Sequence, residues 1–137
     1  MSVDFFERAK ISLLDPLGLY LANDVKWIKT NQNWNYLKFP VVIGGKGQPI
    51  LLLHGFDSSF LEFRRIYQSL KRNFQVIIPD LLGFGFCPRC AVNEYNPSKI
   101  ISYLVDLLNT LKIKENLKII GASMGGSTAL KLAFEIP

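Results

Sequence analysis

The chain has 137 residues, of which 49% are hydrophobic and 20% are charged. These values are typical of one compact globular domain and exclude a disordered or low-complexity protein. The formal net charge is +5, but the basic residues are scattered or paired, so we expect no nucleic-acid partner.

Two features bear on membranes. No segment is apolar enough over a sufficient length to span a bilayer, and the first residues lack the basic start of a secretory signal. We therefore expect no integral membrane segment and a cytoplasmic protein. The alternative is an N-terminal amphipathic helix that rests on a membrane surface.

The first half of the chain predicts a helix followed by two strands and a second helix. The first helix is expected over residues 3–14, within a leading segment 1–36. A strand over 37–43 is predicted in a hairpin turned by the glycine-rich run 44–47. Residues 50–53 are continuously apolar, as in a strand buried on both faces. The spacing of Ser59 and Glu62 is that of a capping box, which predicts a helix from there to about residue 71.

The second half continues the alternation. Residues 75–78 form another apolar run, and Asn96 with Pro97 is typical of a helix start. A short apolar strand at 119–120 precedes a helix-compatible segment over 127–134. Strands alternating with helices predict an α/β fold with a mostly parallel sheet and helices on both faces.

The most specific motif is Gly121-Ala122-Ser123-Met124-Gly125, which lies between the last strand and the last helix. This G-x-S-x-G pattern is typical of a nucleophile elbow, a sharp turn that exposes a serine hydroxyl. Gly121 and Gly125 are expected because bulkier residues would collide in so tight a turn. The alternative is an ordinary glycine-rich turn that binds a phosphate at the helix N-terminus.

Three polar residues follow three predicted strands: His54, Asp80 and Ser123. Ligands of parallel sheets bind beyond the carboxyl ends of the strands, so we expect these side chains to share one rim. Cys87 and Cys90 follow in a loop, without the further ligands that a zinc site needs and without the helix that a redox dithiol normally opens. We expect neither a metal nor a redox role for them, although a redox module is kept as an alternative.

The three strand-end motifs together resemble the N-terminal half of the α/β-hydrolase family. They are the runs 54–57, 79–85 and 121–126, in the family's order, and the resemblance covers residues 37–137. It implies that Ser123 is the nucleophile and that the backbone N–H groups of Phe56 and Met124 form the oxyanion hole. Because those two side chains are apolar, we expect a small-molecule acyl substrate with little charge, and no cofactor.

The resemblance also implies structural roles for several residues. His54 and Gly55 would shape the oxyanion turn, and Asp80 would stabilise the turn that leads to Gly83 and Gly85. The alternatives are that His54 is a catalytic base and that Asp80 is a triad acid. For Asp57 we expect loop closure, with binding of a polar substrate group as the alternative.

The chain departs from the family in its catalytic triad. In this fold the acid and then the histidine follow the serine, and both would come after Pro137. Without them the strand before Ser123 is also expected to be an open sheet edge. We therefore expect a fragment of a longer protein, a disrupted remnant, or half of a split enzyme whose C-terminal half is a separate chain.

The favoured function is a serine hydrolase of the esterase or lipase type. A catalytically inert interaction or remnant protein is the alternative from another class, because the triad acid and base are missing. A cofactor-free perhydrolase would use the same serine and is also left open.

Overall fold

The computed structural model describes residues 3–32, 34, 37–89 and 95–136. In these residues a sheet lies between two layers of helices. The strands are β1 (Val25–Ile28), β2 (Phe39–Gly44), β3 (Gln48–Leu53), β4 (Phe74–Pro79) and β5 (Lys118–Gly121). The helices are α1 (Val3–Ile11), α2 (Pro16–Ala22), α3 (Arg64–Lys71), α4 (Pro97–Thr110) and α5 (Met124–Glu135), with a 3-10 turn (Phe60–Phe63) before α3.

The described strands form one sheet in the order β1-β2-β4-β3-β5. Strand β3 is parallel to both of its neighbours, β4 and β5. The strands that precede the three predicted polar residues are therefore parallel, as expected. Strands β1 and β2 are antiparallel to each other, and β2 is antiparallel to β4, so the described sheet is mixed.

The hairpin predicted around residues 44–47 is wrong, because β4 lies between β2 and β3. The glycine-rich run instead crosses the beginning of β4. Gly45 and Gly47 have φ values of 77° and 114°, and a Cβ on Gly45 would overlap the carbonyl oxygen of Phe74. The glycines thus permit a close crossover, and β4 takes the central position that suits a strand apolar on both faces.

The leading segment contains two elements beyond those predicted from the sequence. Helix α2 begins with the Asp15 side chain accepting the N–H of Leu17 at 2.9 Å and with Pro16 in its first turn. Both are recognised helix-start signals. Strand β1 is short, partly exposed and at the sheet edge, so its sequence shows neither a long apolar run nor a strict alternation.

The sheet is buried on both faces. In β3, Leu51 and Leu53 pack into the cluster under α4 and α5, whereas Ile50 and Leu52 pack into the cluster under α1, α2 and α3. This alternation is the two-residue period of a strand covered on both sides. It confirms the prediction of helices on both faces.

Strand β5 has β3 as its only partner among the described residues. Ile120 on this strand is 45% exposed. On the neighbouring helix α5, Leu130 and Phe134 are 69% and 91% exposed. The described part of the chain therefore has an apolar edge at this side of the sheet.

Candidate active site

The carboxyl ends of β3, β4 and β5 bring the predicted polar residues to one edge of the sheet. His54 follows β3 directly, Asp80 follows β4, and Ser123 follows β5 after one residue. The Nε2 atom of His54 is 3.9 Å from Oδ1 of Asp80. A Cβ built on Gly55 would lie 3.5 Å from the Cβ of Ser123. The loop after β3 therefore contacts the turn that carries the serine.

Ser123 has a rare backbone conformation. Its φ is 52° and its ψ is −118°, a combination that is strained for a residue with a side chain and that clusters at functional sites. The turn is closed by the N–H of Gly125, which donates to the carbonyl of Ala122 at 2.8 Å, and by that of Gly126, which donates to the carbonyl of Ser123 at 2.9 Å. The serine side chain is exposed at the start of α5.

The two glycines of the motif are required by the packing of this turn. A Cβ on Gly121 would overlap the carbonyl oxygen of Gly125. A Cβ on Gly125 would overlap the carbonyl oxygens of Leu53 and His54. Helix α5 therefore begins directly against the end of β3, and only glycine at both positions permits that approach.

Met124 and Phe56 supply the main-chain N–H groups that are expected to form the oxyanion hole. Met124 is the first residue of α5, where an N–H has no carbonyl one turn back to bond. Within the described part of the chain, neither its N–H nor that of Phe56 donates to an acceptor. Both donors belong to the two segments that meet at Gly55 and Ser123.

His54 is fully buried, and both of its ring nitrogens are occupied. Its Nε2 accepts the N–H of Leu81 at 3.0 Å, so the ring proton is on Nδ1, which donates to the carbonyl of Gly55 at 2.8 Å. Burial lowers the pKa of His54 and favours the neutral ring. No hydrogen bond joins His54 to Ser123, both of which are described.

Asp80 connects the loops that follow β3 and β4. Its Oδ1 accepts the N–H of Phe60 and its Oδ2 accepts the N–H of Phe86, each at 2.6 Å. Burial raises the pKa of Asp80 to about 7, although the two backbone hydrogen bonds oppose that shift. Gly85, with a φ of 53°, lies so close that a Cβ there would overlap the carboxylate. Gly83, also at positive φ, packs against the ring of Tyr95.

The capping-box role predicted for Glu62 is wrong. The hydroxyl of Ser59 accepts the N–H of Leu61 at 3.3 Å. The carboxylate of Glu62 does not reach back to Ser59 and instead accepts the N–H of Gly55 at 2.8 Å. The spacing correctly placed a helical turn, but a partner seven residues earlier in another loop has no signature in local spacing.

An aromatic pair, with Phe56 exposed and Phe84 half-buried, lies in the loops after β3 and β4. Phe56 is 72% exposed, and its ring centroid is 5.4 Å from that of Phe84. Phe84 also meets the His54 ring edge-on at 6.0 Å. The loops after β3 and β4 therefore present apolar side chains to the solvent next to the serine turn.

The remaining predicted positions have a smaller part in the site. Asp57 has a φ of 52° in the turn after Phe56. Cys87 is buried in the apolar cluster under α4, and Cys90 lies outside the described residues. Within the described ranges there is no group of three acidic, histidine or cysteine side chains placed to hold a metal. Nor does any helix there combine the length and apolarity needed to cross a bilayer.

Comparison with known proteins gives a consistent result. Residues 48–137 match the family model described as the alpha/beta hydrolase fold. A 2-hydroxymuconate semialdehyde hydrolase from Pseudomonas sp. (strain CF600) is 34% identical over 96 residues, which cover 68% of this chain and 34% of that protein. Lipase 1 from Psychrobacter immobilis is 35% identical over 91 residues, covering 66% of this chain and 28% of the lipase.

Solved structures agree with these matches. A putative lipase from Acinetobacter baumannii AYE superposes with a TM-score of 0.75 at 25% identity, covering 90% of this chain and 43% of that one. A putative alpha/beta hydrolase from Nostoc sp. PCC 7120 gives a TM-score of 0.71 at 26% identity, covering 82% and 38%.

The chain spans about a third of the length of the curated relatives that it matches, 34% of the semialdehyde hydrolase and 28% of the lipase. The matched part includes the turn of Ser123 and the loops after β3 and β4. Because the family match covers more than half of the chain, this chain belongs to the α/β-hydrolase fold family.

Proposed function

We propose that this chain carries the nucleophile and oxyanion hole of a serine hydrolase that acts on ester-type bonds. The observation that supports this most strongly is the turn of Ser123. Ser123 is exposed and has a φ of 52°, and within the described residues the N–H groups of Phe56 and Met124 donate to no acceptor. A serine oxygen that attacks an acyl carbonyl creates negative charge on the carbonyl oxygen, and two fixed N–H donors stabilise that charge.

The general base is proposed to be a histidine from outside these 137 residues. The chain contains one histidine, and the ring of His54 already accepts from Leu81 and donates to Gly55. A serine hydroxyl needs an adjacent base to be an effective nucleophile at neutral pH. His54 and Asp80 are therefore assigned to the scaffold of the oxyanion loop and not to the triad.

The substrate is proposed to be a small ester with an apolar acyl or alcohol group. The exposed ring of Phe56 and its half-buried neighbour Phe84 supply apolar surface in the loops after β3 and β4, and Met124 is partly buried against the core. The relatives named as lipases support the same class. Because Phe56 and Met124 contribute to the oxyanion hole through the main chain, their side chains are available for contact with the substrate.

A fluorophosphonate probe tests the proposal on the protein as its native source produces it. We expect covalent labelling that is abolished by Ser123→Ala. Two control variants should still be labelled: Phe56→Ala, which retains the backbone donor, and Ser102→Ala, which changes an exposed serine on α4. Absence of labelling in the folded native protein would contradict the proposal and favour a catalytically inert remnant.

A further inference from the structure

We propose that Glu62 is a positioning residue of this site. Its carboxylate holds the N–H of Gly55, and through Gly55 it orients the Phe56 N–H toward the developing oxyanion. This inference rests on the proposed function, because the Phe56 N–H has a catalytic task only if Ser123 is a nucleophile. No local sequence pattern assigns this task to Glu62.

The geometry around Gly55 carries the inference. Its N–H donates to Oε2 of Glu62 at 2.8 Å, and its carbonyl accepts from Nδ1 of His54 at 2.8 Å. The carbonyl of Gly55 and the N–H of Phe56 belong to the same planar peptide unit. Fixing the carbonyl therefore fixes the direction of the Phe56 N–H, which points the opposite way.

The hydrogen bond from the Gly55 N–H to Glu62 is needed because residue 55 is a glycine. A glycine has more accessible backbone conformations than other residues, so one hydrogen bond to its carbonyl leaves φ free to change. The bond from its N–H to Glu62 restrains that rotation. It also occupies the Gly55 N–H, whereas the Phe56 N–H donates to no acceptor among the described residues.

The backbone of Glu62 is held in place by the surrounding structure. It lies in the 3-10 turn Phe60–Phe63, whose two terminal phenylalanines are buried. The N–H of Phe60 at the start of that turn is bonded to the buried carboxylate of Asp80. Hydrogen bonds thus run from Asp80 through the 3-10 turn and Glu62 to Gly55. The rest of the Glu62 residue is exposed, so a large general role in stability is not expected of it.

The expected loss of kcat in Glu62→Ala can be estimated from the effect of removing an oxyanion-hole donor. Removing one oxyanion donor typically lowers kcat by about 100-fold to 1000-fold. Loss of Glu62 leaves the Phe56 N–H in place but less well directed, so a smaller effect is expected. We expect kcat to fall about 10-fold in Glu62→Ala, with KM changed less than about twofold because substrate contacts are intact.

The experiment measures hydrolysis of p-nitrophenyl butyrate by the native protein and four variants, one of which is Ser123→Ala, with active sites counted by fluorophosphonate titration. Glu62→Ala should lower kcat per titrated site. Glu62→Gln should restore most of it, since the amide oxygen can still accept the Gly55 N–H. Glu115→Ala, an exposed glutamate in the turn before β5, should equal the unaltered protein.

The possible outcomes separate the two proposals. An unchanged kcat per titrated site in Glu62→Ala, with hydrolysis still abolished by Ser123→Ala, would overturn the role of Glu62 alone. A lower melting temperature with fewer titratable sites, each of normal kcat, would also overturn it and indicate a purely structural residue. Hydrolysis that does not depend on Ser123 would overturn the proposed function, and the role of Glu62 with it.

Discussion

The Nε2 atom of His54 lies 3.0 Å from the backbone nitrogen of Leu81 and accepts its N–H. An N–H always donates, so this contact places the single ring proton of the neutral imidazole on Nδ1. The lone pair that a general base would need is therefore already in use. The same ring joins the loop after β4 to the Gly55 carbonyl, which makes His54 a link between the two loops of the site.

Stability at acid pH should report this state of His54. Burial lowers its pKa in the folded protein from the ordinary value of 6.5. Below pH 6.5 the unfolded chain binds the proton more readily than the folded one, so this contribution to stability is complete above pH 6.5 and is lost as the pH falls through the folded pKa. His54→Gln cannot bind that proton and should lack this loss.

The measurement is the urea unfolding free energy of the native protein and the variant between pH 5 and pH 8. The difference in free energy between the two should shrink toward the acid end. A difference that stays constant over this range would mean that His54 is not buried as a neutral ring.

The contribution of Asp80 to the free energy of unfolding should depend on pH in the opposite direction. Its pKa is raised from 3.8 to about 7 in the folded protein, so between these values the folded state binds the extra proton. Its contribution is complete below pH 3.8 and is lost as the pH rises through about 7, by at most about 1.4 kcal/mol per pH unit.

The matched variant is Asp80→Asn, which has no titrating group at this position. Its side chain keeps one acceptor for the two backbone N–H groups of Phe60 and Phe86, so a general destabilisation of about 1–3 kcal/mol is expected as well. The free energy of unfolding of the native protein should exceed that of Asp80→Asn by an amount that decreases from pH 4 to pH 7. An advantage that grows over that range would show that the Asp80 carboxylate is stabilised as the anion.

Adjacent glycines at the start of α5 should respond oppositely to alanine. A Cβ at Gly125 would overlap two carbonyl oxygens, whereas at Gly126 the nearest atom is 3.4 Å away. We expect Gly125→Ala to destabilise the protein by about 3 kcal/mol or more. Gly126→Ala should be neutral or stabilise it by about 0.5–1 kcal/mol, because alanine loses less backbone freedom in a helix.

The measurement is the thermal unfolding of Gly125→Ala and Gly126→Ala, each compared with the native protein. Fluorophosphonate labelling should be lost in Gly125→Ala only. Equal stability of the two variants would be inconsistent with the close contact between α5 and the end of β3.

The sequence predicted those features that depend on local patterns. The apolar runs of β3 and β4, the Asn96 cap of α4 and the turn of Ser123 all carry such patterns, and the structure contains each element. The hairpin at residues 44–47 failed because strand order is decided by burial of β4 between two neighbours. A glycine-rich turn looks the same whether it joins adjacent strands or crosses one.

Within the site, the positions of the residues at strand ends could be predicted from the sequence because the carboxyl ends of parallel strands lie at one edge of the sheet. The hydrogen bonds of these residues could not be predicted. The partner of Glu62 lies 7 residues away and the two partners of Asp80 lie 20 and 6 residues away, and no periodicity encodes such distances. Glu62 lies three residues after Ser59, and this spacing favours a local capping partner that the fold does not use.

Trapping the acyl intermediate on the native protein shows directly whether Ser123 is the nucleophile. A short burst with p-nitrophenyl butyrate, quenched in acid and digested with trypsin, should place a butyryl group on the peptide 119–131, and fragmentation should assign it to Ser123 and not to Ser127. An acyl group on another residue, or steady hydrolysis without a butyryl adduct on that peptide, would contradict the assignment of Ser123 as the nucleophile.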